Sequence, residues 1–133
     1  MVTDRIGDFI IRLQNAAAIG KREVNIPYSG YLLEIAKKLK QLGFLARVDV
    51  KEKEGSAKKT LVVELAYSER GAARLHGVKR VSKPGRRLYA SHQNAHRVRG
   101  GVGARILTTS AGVLSDTEAR KAKVGGEELF EIW

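Results

Sequence analysis

Apolar residues recur every three or four positions in two stretches near the start of the chain, which is the spacing of amphipathic helices. The first predicted helix covers residues 3–19, with Thr3 as its N-cap and Gly20 at its end. The second begins after Ser29 and ends at Gly43. The inward positions of the two helices are Ile6, Ile10, Leu13 and Ala17, then Leu32, Ile35, Ala36, Leu39 and Leu42.

Shorter runs around these helices predict strands. Residues 24–26 form one such run before Pro27. A hairpin is predicted where the apolar residues Phe44, Ala46, Val48 and Val50 recur at every second position and residues 61–65 follow. The first part of the chain is therefore predicted to run helix, strand, helix, strand, strand.

The pattern changes near Gly71, after which glycine is more frequent and the strands are shorter. Strand pieces are predicted at residues 78–81, 87–89, 105–109 and 128–133. Ser115 and Glu118 have the spacing of a capping box, which predicts a short helix to about Lys123.

Together these patterns predict an α+β fold in which the N-terminal half packs on a mainly β half with one short helix. The predicted subdomains are residues 1–70 and 71–133.

Composition narrows the function classes. At 133 residues and 43% hydrophobic content, the chain has enough apolar residues for a core, in one domain or two small subdomains. It has no cysteine, which excludes disulfides, thiolate zinc sites and cysteine nucleophiles. We find no apolar signal core and no run of membrane-spanning length, so we expect a soluble cytoplasmic protein.

Charge is concentrated in one part of the chain, although the net charge is +11 overall. Residues 70–115, called here the acid-free segment, contain ten Lys or Arg and no Asp or Glu. Such a concentration predicts that a polyanion lies against it. An acidic membrane would require a basic helix with a strong apolar face, and this Gly- and Ser-rich segment has none. Nucleic acid is therefore the favoured partner.

Two motifs in the acid-free segment are candidates for nucleic-acid contact. Residues 80–89, the basic segment, place four cations around a Pro-Gly turn and end in a tyrosine that can stack on a base. Arg97 and Arg99 are further candidates for phosphate contact. Residues 107–114, the hydroxyl segment, are uncharged, and short hydroxyls can donate and accept hydrogen bonds at base edges and sugars. The structural alternatives are a charged hairpin tip and a plain hairpin, and spacing alone favours the plain hairpin for the hydroxyl segment.

Catalysis and metal binding find little support in the sequence. His92 and His96 lie four residues apart, but no third metal ligand is nearby. Glu127 and Glu128 are adjacent, so on a strand they point to opposite faces and are not a catalytic pair. An RNA-processing enzyme that uses the two histidines and a DNA-binding module remain as rival functions. No cofactor and no small-molecule substrate are predicted.

Four ordered blocks of residues resemble the family of bacterial small-subunit ribosomal protein eight over nearly the whole chain. The first contains Asp4, Ile6, Asp8, Arg12, Asn15 and Ala16, and the second contains Ile26, Pro27, Ser29, Ile35, Ala36, Leu42, Gly43 and Phe44. The third contains Arg80, Ser82, Lys83, Pro84, Gly85, Arg87 and Tyr89. The last contains Gly103, Ile106, Leu107, Thr108, Thr109, Gly112, Val113 and Leu114, then Asp116, Ala119, Arg120, Gly125, Gly126 and Glu127.

The resemblance implies a non-enzymatic binder of 16S ribosomal RNA, which recognises a distorted helix of the central domain and helps to organise the platform of the small subunit. It also implies contacts with neighbouring small-subunit proteins and, in many bacteria, repression of translation through the protein's own messenger RNA. The RNA-binding residues are then predicted to be Arg80, Ser82, Lys83, Pro84, Gly85, Arg86, Arg87, Tyr89, Thr108, Thr109, Ser110, Gly112 and Glu127.

This chain departs from the family pattern at a few positions. Gly30 replaces a basic residue, Thr108 replaces a serine, and Ala111 replaces a basic or polar residue. Near the end, Phe130 and Glu131 stand where a Cys-Tyr-like pair is usual.

Overall fold

A computed structural model describes residues 4–52, 54–55, 57–91 and 103–133. These residues form two compact units. The first unit is Asp8–His76, and the second combines Gly77–Trp133 with the described residues before Asp8. Helices and antiparallel sheets confirm the predicted α+β class. The division into subdomains 1–70 and 71–133 stays a prediction.

The N-terminal half follows the predicted order of elements. It contains α1 (Arg5–Ala18), β1 (Glu23–Pro27), α2 (Gly30–Gln41), β2 (Leu45–Glu52) and β3 (Lys59–Leu65). The three strands form an antiparallel sheet in the order β1-β3-β2, and α2 packs against β2. The apolar stripes of both helices are buried, because leaving them in water would forfeit roughly 25 cal/mol for each Å² of apolar surface. The fully buried side chains of this unit include Phe9, Leu13, Ile35, Leu39, Leu61 and Val63.

The N-cap of α1 lies one residue later than predicted. The helix begins at Arg5, so Asp4 is its N-cap, and the Asp4 carboxylate accepts a hydrogen bond from the Gly7 amide at 3.0 Å. Thr3 lies outside the described residues. The second helix begins after Ser29 as predicted, although the Ser29 side chain makes no capping hydrogen bond.

The alternation predicted for β2 is wrong at its first residues. Phe44 and Leu45 are both buried, whereas Ala46 is exposed. A register shift between Leu45 and Arg47 leaves Ala46 as an extra residue opposite β3. Such a bulge changes which face the following side chains occupy, and a period-2 pattern read from the sequence does not reveal it.

The second unit is built around one central strand. Its elements are β4 (Val78–Arg80), β5 (Tyr89–Ala90), β6 (Ala104–Thr109), β7 (Gly112–Ser115), α3 (Asp116–Ala122) and β8 (Gly126–Ile132). On one side β8 pairs with both β4 and β5, and on the other with β6, which pairs with β7. The core of this unit includes Ile106, Leu107, Leu129, Phe130 and Ile132.

The predicted capping box of α3 is confirmed. The Ser115 hydroxyl accepts from the Glu118 amide, and the Glu118 carboxylate accepts from the Ser115 amide, both at 3.3 Å. The helix ends at Lys123, which has the left-handed φ of 56°. No helix in the described part of the chain is long and apolar enough to cross a membrane.

Candidate nucleic-acid interface

The basic segment leaves the sheet as a loop whose two ends are tied to the same residue of β8. The Ser82 amide donates to the Glu128 carbonyl at 3.1 Å, and the Glu128 amide donates to the Leu88 carbonyl at 2.9 Å. Residues 83–87, called here the basic loop, therefore project from the edge of β8 between β4 and β5. Because the basic loop is anchored at both ends, its charged side chains are held in place and remain exposed.

Ser82 closes the base of the basic loop. Its hydroxyl donates to the Leu88 carbonyl at 3.1 Å and accepts from the Leu88 amide at 2.9 Å. Only 1% of Ser82 is exposed, so it has no surface to offer a ligand. We therefore assign Ser82 a positioning role rather than direct contact.

The tip of the basic loop is a tight turn. Lys83 and Arg86 exchange backbone hydrogen bonds of 3.0 and 2.9 Å across Pro84 and Gly85. Gly85 has a φ of 84°, and a proline followed by a residue of positive φ is the pattern of a type II turn. Lys83 and Arg86 are exposed, and neither forms an ion pair within the described residues. These two cations are available to an incoming phosphate.

Arg80, by contrast, is engaged within the protein. Its side chain is only 13% exposed, and its guanidinium forms an ion pair with Asp4 and donates to the Ser82 carbonyl. Burial opposes ionisation of Asp4, but hydrogen bonds from Arg80 and Gly7 and the charges of Arg80 and Arg87 outweigh it and lower the Asp4 pKa below 3.8. Arg80 thus links Asp4 to Ser82 at the base of the basic loop.

Tyr89, Glu127 and Thr108 lie side by side across three strands. Tyr89 of β5 pairs with Glu127 of β8, and Glu127 pairs with Thr108 of β6. Residues that are directly opposite in an antiparallel sheet point to the same face, so these side chains form one row. Tyr89 is 72% exposed, which leaves its ring open for stacking. Glu127 accepts from Arg87 at 3.2 Å, and this bond links the row to the basic loop.

The hydroxyl segment forms the hairpin between β6 and β7, the arrangement that spacing alone favoured. Thr109 pairs with Gly112, whose φ is 104°. The Thr109 hydroxyl donates to the Gly112 carbonyl at 2.9 Å and accepts from the Ala111 amide at 3.1 Å. Thr109 thereby holds the turn, while Ser110 lies exposed at its tip. The hydroxyls of Ser110 and Thr108 are therefore better placed than that of Thr109 to meet a ligand.

The backbones of β5 and β6 approach closely to the chain at the start of β8. A Cβ on Gly125 would lie 2.5 Å from the Ala90 carbonyl oxygen, and one on Gly126 would lie still closer to the Thr108 carbonyl oxygen. No real side chain fits at these distances. The two glycines thus allow β5 and β6 to pack closely against β8.

Arg105 belongs to the acid-free segment, but two carboxylates of β8 compensate its positive charge. Its guanidinium, 15% exposed, pairs with Glu128 and Glu131. Burial lowers the pKa of Arg105, but the hydrogen bonds to both carboxylates outweigh it and raise the pKa above its ordinary value. Glu127 and Glu128 therefore bind different arginines, and the second of them strengthens the sheet rather than the candidate interface.

Some predicted residues cannot be placed. His92, His96, Arg97 and Arg99 lie outside the described residues. The residues that the structure does describe contain no group of three or more side chains suited to hold a metal ion.

Comparison with known proteins identifies the family. The model of the family described as ribosomal protein S8 matches residues 4–133. The chain belongs to the ribosomal protein S8 family. It is 42% identical over 133 residues to the small ribosomal subunit protein uS8 of Sorangium cellulosum, covering 100% of both chains. It is 45% identical to the uS8 protein of Salinispora arenicola and 43% identical to that of Nocardia farcinica, in each case over 99% of this chain and 98% of the relative.

Membership of the ribosomal protein S8 family confirms the resemblance found in the sequence and decides against an enzyme, because this is a family of structural ribosomal proteins. The RNA-processing rival that used His92 and His96 is therefore set aside. The assignment of individual residues to RNA contact stays a prediction.

Sequence reasoning missed Asp4 as a residue of this site. Its position before an amphipathic run marks an N-cap, and that signal was available. Its ion pair was not, because Arg80 lies 76 residues away in the chain.

Proposed function

We propose that this chain is a structural component of the small subunit of the cytoplasmic ribosome and binds the central domain of 16S ribosomal RNA. Family membership supports the ribosomal role. The observation that carries RNA binding is the surface formed by the row Tyr89, Glu127 and Thr108 beside the exposed cations Lys83 and Arg86. It combines a stacking ring, hydroxyls and phosphate-binding charge.

The two parts of this surface have different tasks. Lys83 and Arg86 attract phosphate, which contributes affinity without regard to base sequence. Ser110 and Thr108 carry short hydroxyls that fit the wide, shallow minor groove of RNA, where 2′-hydroxyls and base edges are accessible. Glu127, held by Arg87, adds an acceptor for amino or hydroxyl hydrogens between them. Discrimination therefore resides in the least charged part of the surface.

Filter binding tests this division. The ligands are a central-domain fragment of 16S ribosomal RNA, an RNA of the same length with scrambled sequence, and duplex DNA. We expect Ser110→Ala to reduce the preference for the central-domain fragment by about 1–3 kcal/mol, the usual value of one direct contact. Ser68→Ala is the control, since the Ser68 hydroxyl accepts from Ala72 in the first unit and should not affect binding.

The proposal fails if wild-type protein binds all three ligands equally well. Equal affinity for duplex DNA would favour the DNA-binding rival, because backbone charge alone does not distinguish the two sugars. An unchanged preference in Ser110→Ala would mean that the hydroxyl segment does not distinguish the central-domain fragment from other RNA.

We also propose, from the family resemblance, that the chain contacts neighbouring small-subunit proteins and represses translation of its own messenger RNA. A reporter gene that carries the leader of the protein's own messenger RNA should lose expression in a cell-free system as purified protein is added. Lys83→Ala/Arg86→Ala protein should repress less at the same concentration. Equal expression with and without wild-type protein would contradict repression.

A further inference from the structure

A chain of contacts runs from the N-terminus of α1 to the basic loop within the second unit. One Asp4 oxygen accepts from the Gly7 amide at 3.0 Å, and the other pairs with the Arg80 guanidinium. The same guanidinium donates through its Nε to the Ser82 carbonyl. Ser82 in turn closes the base of the basic loop through its two hydrogen bonds to Leu88.

The space for this ion pair depends on a glycine. A Cβ on Gly7 would collide with the Arg80 guanidinium and with the Asp4 carboxylate. Alanine has the higher intrinsic helix propensity, so the helix itself does not require a glycine here. The glycine at this site therefore favours the ion pair at the expense of helix propensity.

We propose that Asp4 is a positioning residue for RNA binding, which acts by holding Arg80 against the base of the basic loop. The inference rests on the proposed function, because the basic loop is assigned there to phosphate contact. Asp4 has two consequences for binding. It fixes the spacing of Lys83 and Arg86 relative to the sheet, and it keeps Arg80 from binding phosphate unspecifically.

These consequences distinguish Asp4 from an incidental carboxylate near RNA. Removal of an incidental negative charge would strengthen binding to every RNA alike, since the surface becomes more positive. Removal of a positioning carboxylate should weaken binding to the specific RNA while leaving unspecific binding equal or stronger. The ratio of the two affinities is therefore the informative quantity.

Asp4→Asn is the test variant. Asparagine caps helices as well as aspartate does, so the Gly7 contact is retained. Its amide has only one acceptor oxygen and turns an NH₂ donor toward Arg80, which breaks the ion pair. Asp8→Asn is the matched control, because Asp8 is an exposed carboxylate of α1 that pairs with Arg12 at 3.2 Å. Both variants raise the net charge by the same amount.

We expect Asp4→Asn to lower the affinity for the central-domain fragment roughly tenfold, the equivalent of about 1.4 kcal/mol, without lowering the affinity for scrambled RNA. Asp8→Asn should change both affinities by the same small factor. Combined with Arg80→Gln, Asp4→Asn should cause no further loss, because both changes break one interaction. Gly7→Ala should lower the same ratio while leaving the helix stable, which separates positioning from failure to fold.

Two results would overturn the inference: an affinity ratio in Asp4→Asn equal to that of Asp8→Asn, or additive losses in the double variant. Lys83→Ala/Arg86→Ala distinguishes this failure from failure of the proposed function. If that variant binds RNA as wild type does, the basic loop is not the interface. If it binds weakly while Asp4→Asn keeps its ratio, the positioning role alone is refuted.

Discussion

Removal of the two exposed cations of the basic loop should flatten the salt dependence of RNA binding. Lys83 and Arg86 are exposed and have no carboxylate partner within the described residues, whereas Arg80 is paired with Asp4 and Arg87 with Glu127. Each cation that neutralises one phosphate contributes a slope of about 0.7–0.9 in log K against log salt. The double variant Lys83→Ala/Arg86→Ala should therefore lose roughly 1.4–1.8 from the slope.

This slope translates into a measurable ratio. Between about 50 and 200 mM salt, wild-type affinity should fall roughly 7- to 12-fold further than the affinity of the double variant. Filter binding of the central-domain fragment at four or five salt concentrations gives both slopes. Lys37→Ala/Lys40→Ala is the matched control, because it removes two exposed lysines of α2 and changes the net charge equally.

Two outcomes would refute the reasoning. An equal loss of slope in Lys37→Ala/Lys40→Ala would mean that overall charge, and not the basic loop, governs binding. A full unit of slope lost in Arg80→Ala would mean that Arg80 leaves Asp4 to bind phosphate. Arg87→Ala should lower the slope by less than one unit, since Glu127 already neutralises part of the Arg87 charge.

The remaining predictions concern stability, measured by denaturant unfolding. Gly126→Ala should destabilise the chain by about 3 kcal/mol or more, because its Cβ would meet a backbone oxygen. Gly85→Ala, which has open space around it, should cost only about 1–2 kcal/mol for its positive φ. Equal losses of stability in the two variants would contradict the close approach at Gly126. Ser115→Ala should cost about 1 kcal/mol through loss of the capping box, and no change would mean that α3 does not depend on its cap. Because the Asp4 pKa is lower in the folded than in the unfolded chain, its contribution is fully present above about pH 3.8 and is lost as the pH falls through the folded pKa. The stability difference between wild type and Asp4→Asn should therefore shrink on acidification, and a constant difference would exclude the ion pair as its source.

Much of the fold was predictable because it depends on neighbours in the chain. The apolar period places α1 and α2 within a residue or two, and the box formed by Ser115 and Glu118 predicts where α3 begins. The bulge at Ala46 was not predicted, because Phe44, Leu45 and Ala46 are all apolar and only the register against β3 decides which of them is the extra residue.

The candidate interface divides in the same way. The sequence by itself determined where positive charge concentrates, that carboxylates are absent there, and which family the motifs resemble, because these are properties of residue identity and order. It could not rank the cations of the basic segment, which all carry the same charge. Arg80 and Arg87 find their carboxylates 76 and 40 residues away, so only the tertiary structure decided that they are held while Lys83 and Arg86 stay exposed.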